Sequence, residues 1–212
     1  MQTRPVTPEE HRRIAAAIRA AEAKTSGEIY CVVARTSDSY FFPAALVVAV
    51  SMMIAALGVA LVLEAWWISI RLPVFMATVL LALAAALGLL YAMPAFCIRL
   101  VPRRWQFARA HDNALKQFLA RNVHITAERT GVLVFVSLAE RYAAIVADAG
   151  INGKVPQQDW DGIVAGLIDH ARSDRLTEGF VSAVQAVGDR LAAHFPLRPG
   201  DANELDDHLV EI

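Results

Sequence analysis

Two stretches of the chain, residues 41–63 and 72–98, carry no charged side chain, whereas apolar and charged residues alternate along everything on either side of them. Each exceeds the roughly 20 apolar residues that cross a bilayer core as a helix, and neither has the polar face of a soluble core helix. The pattern predicts two membrane-spanning helices joined by the connector "EAWWISIR". A cleaved leader fits poorly, because the first apolar stretch starts some 40 residues in and a helical segment precedes it. The second span is long for the bilayer, and Pro94 is placed to kink it or to mark where it leaves the lipid.

The flanking pattern predicts a water-soluble fold cut in two. "TPEEHRRIAAAIRAAEAKTSG" opens with Thr7, Pro8 and Glu10 as a T-x-x-E capping box, carries Ile14, Ile18 and Ala21 at helical spacing, and ends before Gly27. Residues 28–35 then read as a buried strand. Beyond the membrane, "PRRWQFARAHDNALKQFLARN" predicts a helix with Phe107 or Ala108, His111, Leu115, Phe118 and Leu119 on its sheet-facing side. Residues 132–138 and 142–147 read as a β-hairpin around a polar turn. Two further helices follow, with stripes at Trp160, Ile163, Val164, Leu167, Ile168 and Ala171, and at Phe180, Val184, Val187 and Leu191. The tail 197–212 is acidic and begins in turn formers, so it reads as mostly disordered; Leu205, Leu209 and Ile212 leave a short docking helix as the alternative.

A strand of this length cannot satisfy its backbone groups alone, and a two-stranded ribbon is marginal. Residues 28–35 are therefore expected to join the hairpin strands in one sheet. The fold class expected is α/β: a small central mixed sheet flanked by helices, with a transmembrane hairpin (41–100) inserted after the first strand, between a first part at 1–40 and the remainder at 101–196. Two spans return the chain to the side it left. Basic residues agree, with Arg4, Arg12, Arg13, Arg19, Lys24 and Arg35 before the first span, Arg99, Arg103, Arg104 and Arg109 after the second, and only Arg71 in the connector. Both termini and the soluble domain are expected in the cytoplasm of a cell whose inner (plasma) membrane holds this multi-pass chain, with Trp66 and Trp67 at the outer interface.

Composition changes this picture little. Hydrophobic residues make up 56% of the 212, which is high for a soluble domain, and the excess lies in the two spans. A formal net charge of −1 offers no field for nucleic acid. Cys31 and Cys97 are far apart in sequence on the expected reducing side, so no disulfide or metal framework is expected.

Chemistry-bearing motifs are scarce. "GINGK" lacks phosphate-loop spacing, and G-x-S-x-G, H-E-x-x-H and C-x-x-C are absent. His111 lies on an apolar face with no second histidine at ligand spacing. Three acids fall at strand ends, Glu28, Glu140 and Asp148, and could together hold a divalent cation and through it a phosphate; acids at strand ends otherwise simply stand in solvent. Glu22 reads as a helix-surface residue. Arg129 and Thr130, just before the central strand, are candidate anion contacts.

"RTGVLVFVSLAERYAAIVADAGI", "KVPQQDWDGIVAGL" and "EGFVSAVQAVGDRLAAHFP" resemble the second half of the TPM domain, in its bacterial membrane-protein branch, and "SGEIYCVVA" resembles its first strand. The T-G-V-L strand opening and the A-D-x-G-I turn are the most specific parts. The resemblance implies an α/β/α sandwich. It further implies either an acid phosphatase or calcium binder, or an accessory factor for membrane protein complexes. Where the family has a V-x-D-x-A type stretch before the first helix, this chain has "RPVTPEEH".

The function expected is that of a membrane-anchored, non-enzymatic accessory, assembly or maintenance factor with a membrane protein partner; the alternative is a calcium-dependent, acid-phosphatase-like enzyme. Transport is disfavoured, since neither span carries an ionisable residue. Small residues such as Ala82, Ala84, Ala85, Ala86 and Gly88 allow homo-oligomerisation through the hairpin.

Overall fold

The computed structural model describes residues 6–126, 128–198 and 204–212. The chain divides into two units, Met1–Ser37 with Phe107–Ile212, and Asp38–Gln106. In the first, α1 (Pro8–Glu22) starts with the expected capping box: the Glu10 N–H donates to Thr7 Oγ1 at 3.3 Å and the Thr7 N–H donates to Glu10 Oε2 at 2.7 Å. It leads into β1 (Glu28–Ala34). After the second unit come α5 (Arg103–Ala120, its first turn in that unit), β2 (Gly131–Ser137), β3 (Tyr142–Ala147), α6 (Ala149–Asn152), α7 (Gln157–Arg172), α8 (Leu176–His194) and β4 (Leu209–Glu211).

The sheet is mixed, in the order β3-β2-β1-β4. β1 runs parallel to β2, from Glu28 opposite Gly131 to Ala34 opposite Ser137, while β3 is antiparallel to β2. All seven residues of β1 and of β2 are buried, because both faces of the sheet are covered. Ile29, Cys31, Val33, Val132, Val134 and Val136 point to a core built with α1, α7 and α8. Their alternates Tyr30, Val32, Ala34, Leu133 and Phe135 pack with Ala114, Phe118 and Val123. The period-2 alternation thus feeds two cores at once.

Two expectations change. α5 meets its core through Ala110, Ala114 and Phe118, which are buried, and leaves Leu115 and Leu119 exposed. The helix is therefore turned by roughly a quarter turn from the predicted face. Alanines at i and i+4 give a flat seam for close packing, which the larger leucines would prevent. The tail also departs from the disordered or helical reading. Of it, 199–203 lie outside the described residues, but Leu209–Glu211 form β4, paired parallel with β1 from Cys31 opposite Leu209 to Val33 opposite Glu211. The Arg35 N–H donates to the Ile212 carbonyl at 2.8 Å and the Ile212 N–H to the Val33 carbonyl at 3.0 Å. Without β4, one edge of the buried β1 would have unpaired backbone groups.

The second unit contains α2 (Phe41–Ala65), α3 (Leu72–Ala92) and α4 (Pro94–Leu100). α2 and α3 are long and apolar enough to cross a membrane, with mean hydropathy 2.8 and 2.4, and almost none of their apolar surface is covered by the protein itself. Pro94 breaks the second apolar stretch instead of bending it: Met93, at φ −127° and ψ 69°, leaves the helical region as a residue before proline favours. Gln106 Nε2 donates to the carbonyls of Ile98 at 2.6 Å and Val101 at 2.8 Å, which ties down the end of α4. Cys31 and Cys97 are free thiols, both buried.

The glycines of the two specific sequence signatures have a common structural cause. A Cβ on Gly131 would sit 2.0 Å from the Val123 carbonyl oxygen, and one on Gly150 would sit 2.6 Å and 2.7 Å from the carbonyl oxygens of Arg129 and Glu128. Both permit the loop before β2 to press backbone on backbone against the sheet end. Gly131→Ala must displace that backbone, and we expect a loss of at least about 2 kcal/mol, read as a lowered thermal midpoint by circular dichroism of the purified full chain.

Candidate functional site

The three acids singled out from the sequence lie at two ends of the sheet. Glu28 opens β1 opposite Gly131, and the Asp148 N–H donates to the Gly131 carbonyl, so Glu28 and Asp148 share the end where β1 and β2 begin. β2 runs between them, which separates the two by roughly 10 Å at ordinary strand spacing. Glu140, in the β2–β3 turn, lies at the other end, about 20 Å away along the strands. Among the described residues, no group of three or more His, Cys, Asp or Glu side chains is placed to hold a metal ion. Calcium takes six to eight oxygens. The set Glu28, Glu140 and Asp148 does not fit it.

Each acid has separate work. Glu28 is buried and fastens the tail, its carboxylate oxygens accepting the N–H groups of Glu204 and Leu205, each at 3.3 Å. Asp148 caps α6, with Oδ1 accepting the Ala149 N–H at 2.6 Å, while its buried Oδ2 has no hydrogen-bond partner. Thr130 is fully engaged: its N–H donates to Thr126 Oγ1 at 2.9 Å and its hydroxyl to the Ser26 carbonyl at 3.1 Å. Arg129 is exposed and holds a left-handed backbone, φ 54°.

Glu140 is the surprise, since a turn carboxylate was expected in solvent and this one is 0% exposed. Its Oε1 accepts the Ser37 N–H at 2.9 Å and the Thr36 hydroxyl at 3.4 Å, and its Oε2 accepts a short hydrogen bond from the Ser137 hydroxyl. Ser37 Oγ donates in turn to Ser137 Oγ at 2.9 Å. The chain leaves the first unit right after Ser37, so this network clamps the departing end of β1 to the turn after β2. Ser137 lies three residues before Glu140, but Thr36 and Ser37, which complete the network, are about a hundred residues away and left no signature in the sequence.

Glu22, read as a surface residue, is half-buried at the other sheet end, where its Oε1 accepts the Ile29 N–H at 2.9 Å. Burial, helped by the nearby carboxylates of Glu28 and Asp207, lifts its pKa to about 8, against the opposing pull of the Ile29 N–H. Burial likewise raises that of Glu28. The sheet end from which the tail is strapped on therefore holds carboxyls that resist ionisation.

Residues 100–190 match the TPM domain family. The match spans α5 to most of α8 and contains both close-approach glycines, Gly131 and Gly150. The sheet is completed from outside the matched residues, by β1 before the apolar helices and β4 after α8. The fold is similar to that of a solved protein, BA42 from the psychrophilic bacterium Bizionia argentinensis, determined by NMR, with a TM-score of 0.61 at 20% identity over 99% of this chain and 97% of that one. No curated protein matches the chain.

Two outcomes test this geometry. Glu140→Ala leaves the Ser37 N–H and the Ser137 hydroxyl without their buried acceptor, and we expect a loss of about 3 kcal/mol, measured by thermal or urea unfolding of the full chain. For Glu22 the sign follows from linkage: the folded chain keeps its proton up to about pH 8, whereas the unfolded chain releases it near the ordinary 4.5, so stability falls as pH rises between those values. Glu22→Gln keeps an acceptor for the Ile29 N–H and should flatten the thermal midpoint against pH across that window.

Proposed function

We propose that this chain is a membrane-anchored accessory factor whose TPM domain binds, assembles or maintains a membrane protein complex and performs no catalysis of its own. The observation that carries the reading is one of connectivity. Two helices apolar enough to span a bilayer are interposed between β1 and β2, strands that pair directly with one another. A chain that crosses the membrane twice between adjacent strands keeps the whole domain at one membrane face, and the basic flanks support the cytoplasmic face for it. Anchorage at two points, three residues beyond Ser37 on one side and from Leu100 into Arg103 on the other, confines its partners to those at the membrane.

The separation of the candidate acids supports a binding role over a hydrolytic one. Glu28 and Glu140 are spent on backbone N–H groups, and among the described residues no set of three carboxylates is placed to hold a metal against a phosphate ester. The second reading, a calcium-dependent phosphatase, predicts hydrolysis of p-nitrophenyl phosphate that is lost with chelator and with Asp148→Ala.

The deciding experiment pairs topology with partner capture. Reporter fusions at both termini should read cytoplasmic, and a photo-crosslinking side chain placed at exposed positions of α7 should give a discrete adduct with a membrane protein in intact cells. Termini on opposite sides, or no adduct together with chelator-sensitive phosphatase activity, would sink the proposal.

A further inference from the structure

The quarter-turn rotation of α5 leaves an apolar strip that the described residues of its own unit cover only in part. Leu115 and Leu119 are 39% and 57% exposed, and Ala108 shares their side of the helix. In the first turn of the same helix Trp105 is 48% exposed. Helical spacing sets 108, 115 and 119 within one narrow sector. That sector is too apolar for a helix that has already met its sheet through Ala110, Ala114 and Phe118.

Charge and chain position identify the occupant. Arg103, Arg104, Arg109 and Lys116 lie along this helix against a single acid on the exposed side, Asp112. α5 starts at Arg103, directly after α4 ends at Leu100, and α4 follows α3 across a single residue, Met93. We propose that α5 is an interfacial helix: its strip of Ala108, Leu115 and Leu119 lies in the headgroup region of the bilayer, with Arg104 and Lys116 on anionic lipid phosphates. A basic helix with an apolar side has the composition of a membrane-surface element. Basic residues immediately beside a span are drawn to anionic headgroups within a Debye length of the surface. The TPM domain is then seated on the lipid by one of its own core-forming helices, in addition to being tethered by the hairpin.

This inference rests on the membrane reading above, so its test must separate the two. The full chain is reconstituted into nanodiscs of phosphatidylcholine with phosphatidylglycerol, carrying a nitroxide on a single introduced cysteine; both native thiols are buried, and the wild-type chain taken through the same labelling gives the background. Labels at Leu115→Cys and Leu119→Cys should be accessible to oxygen and shielded from a water-soluble nickel chelate, unlike a control at Ala165→Cys on the exposed side of α7. Labels at Leu57→Cys and Leu81→Cys report the spans. If these two see oxygen while 115 and 119 see nickel as freely as 165, the interfacial seat is overturned and the spans stand. If 57 and 81 themselves see nickel, the membrane reading fails and takes the inference with it. Labels at 115 and 119 shielded from both reagents would place a protein, not lipid, on the strip and overturn the proposal. Replacing phosphatidylglycerol by phosphatidylcholine, or combining Arg104→Glu with Lys116→Glu, should lift the 115 and 119 labels towards the aqueous phase while leaving 57 and 81 unchanged; no shift in either case would overturn the role of anionic lipid.

Discussion

The parallel ladder between β1 and β2 is the constraint on which the rest of the molecule depends. β1 is made before the apolar helices and β2 after them, yet they meet residue for residue, Glu28 to Gly131 through Ala34 to Ser137. Neither strand is viable elsewhere. Both are apolar on both faces, so each needs a strand at its side and a core above and below. The hairpin is therefore an excursion that must start and finish at the same sheet. Glu140 secures the point of departure: it is a fully buried carboxylate whose acceptors are filled by the residues at which the chain leaves. Burying such a group is costly unless its hydrogen bonds are made, and here Ser37, Thr36 and Ser137 make them.

At the opposite end of the same strands the chain is closed by its tail. Glu28 accepts two tail N–H groups, and β4 pairs along β1. Glu211 accepts the Val6 N–H at 3.1 Å and stands 3.0 Å from His11 Nε2, so the last strand is tied to the first helix as well. The carboxyls that result are poorly solvated, which is why Glu22 and Glu28 hold protons more tightly than free side chains do. An acidic cluster of this kind is a consequence of strapping an acidic tail over a sheet end.

The parts of the fold that were legible in the sequence are those fixed by local pattern. The capping box at Thr7 and Glu10, the apolar helices, the strands at 132–138 and 142–147, and the stripes of α7 and α8 all follow from spacing within a dozen residues. Even the long-range pairing of β1 could be argued, because an isolated strand has no alternative. What escaped was decided by partners distant in sequence. Leu209 and Val210 form a strand only because β1 has an open edge. Glu140 is buried only because Ser37 arrives to meet it. In the candidate site, the sequence could nominate Glu28, Glu140 and Asp148 as strand-end acids but could not say at which end each would fall, since that depends on strand direction. β3 reverses relative to β2, and this sends Asp148 back to the Glu28 end while Glu140 stays at the other.

α5 carries a different lesson, in which the larger apolar residues misled. A hydrophobic stripe marks the side of a helix that avoids water, and in a soluble protein only the core offers that escape. On the membrane reading proposed above, a helix that begins eleven residues after the end of an apolar segment long enough to cross a bilayer has a second apolar phase within reach. Its most apolar residues need not then be the ones that meet the sheet. Ala110 and Ala114 do that here together with Phe118, and the alanines allow closer packing than leucine would. Where two solvents other than water compete for one helix, the amphipathic pattern gives their combined demand, and only the size of the residues on each side tells them apart.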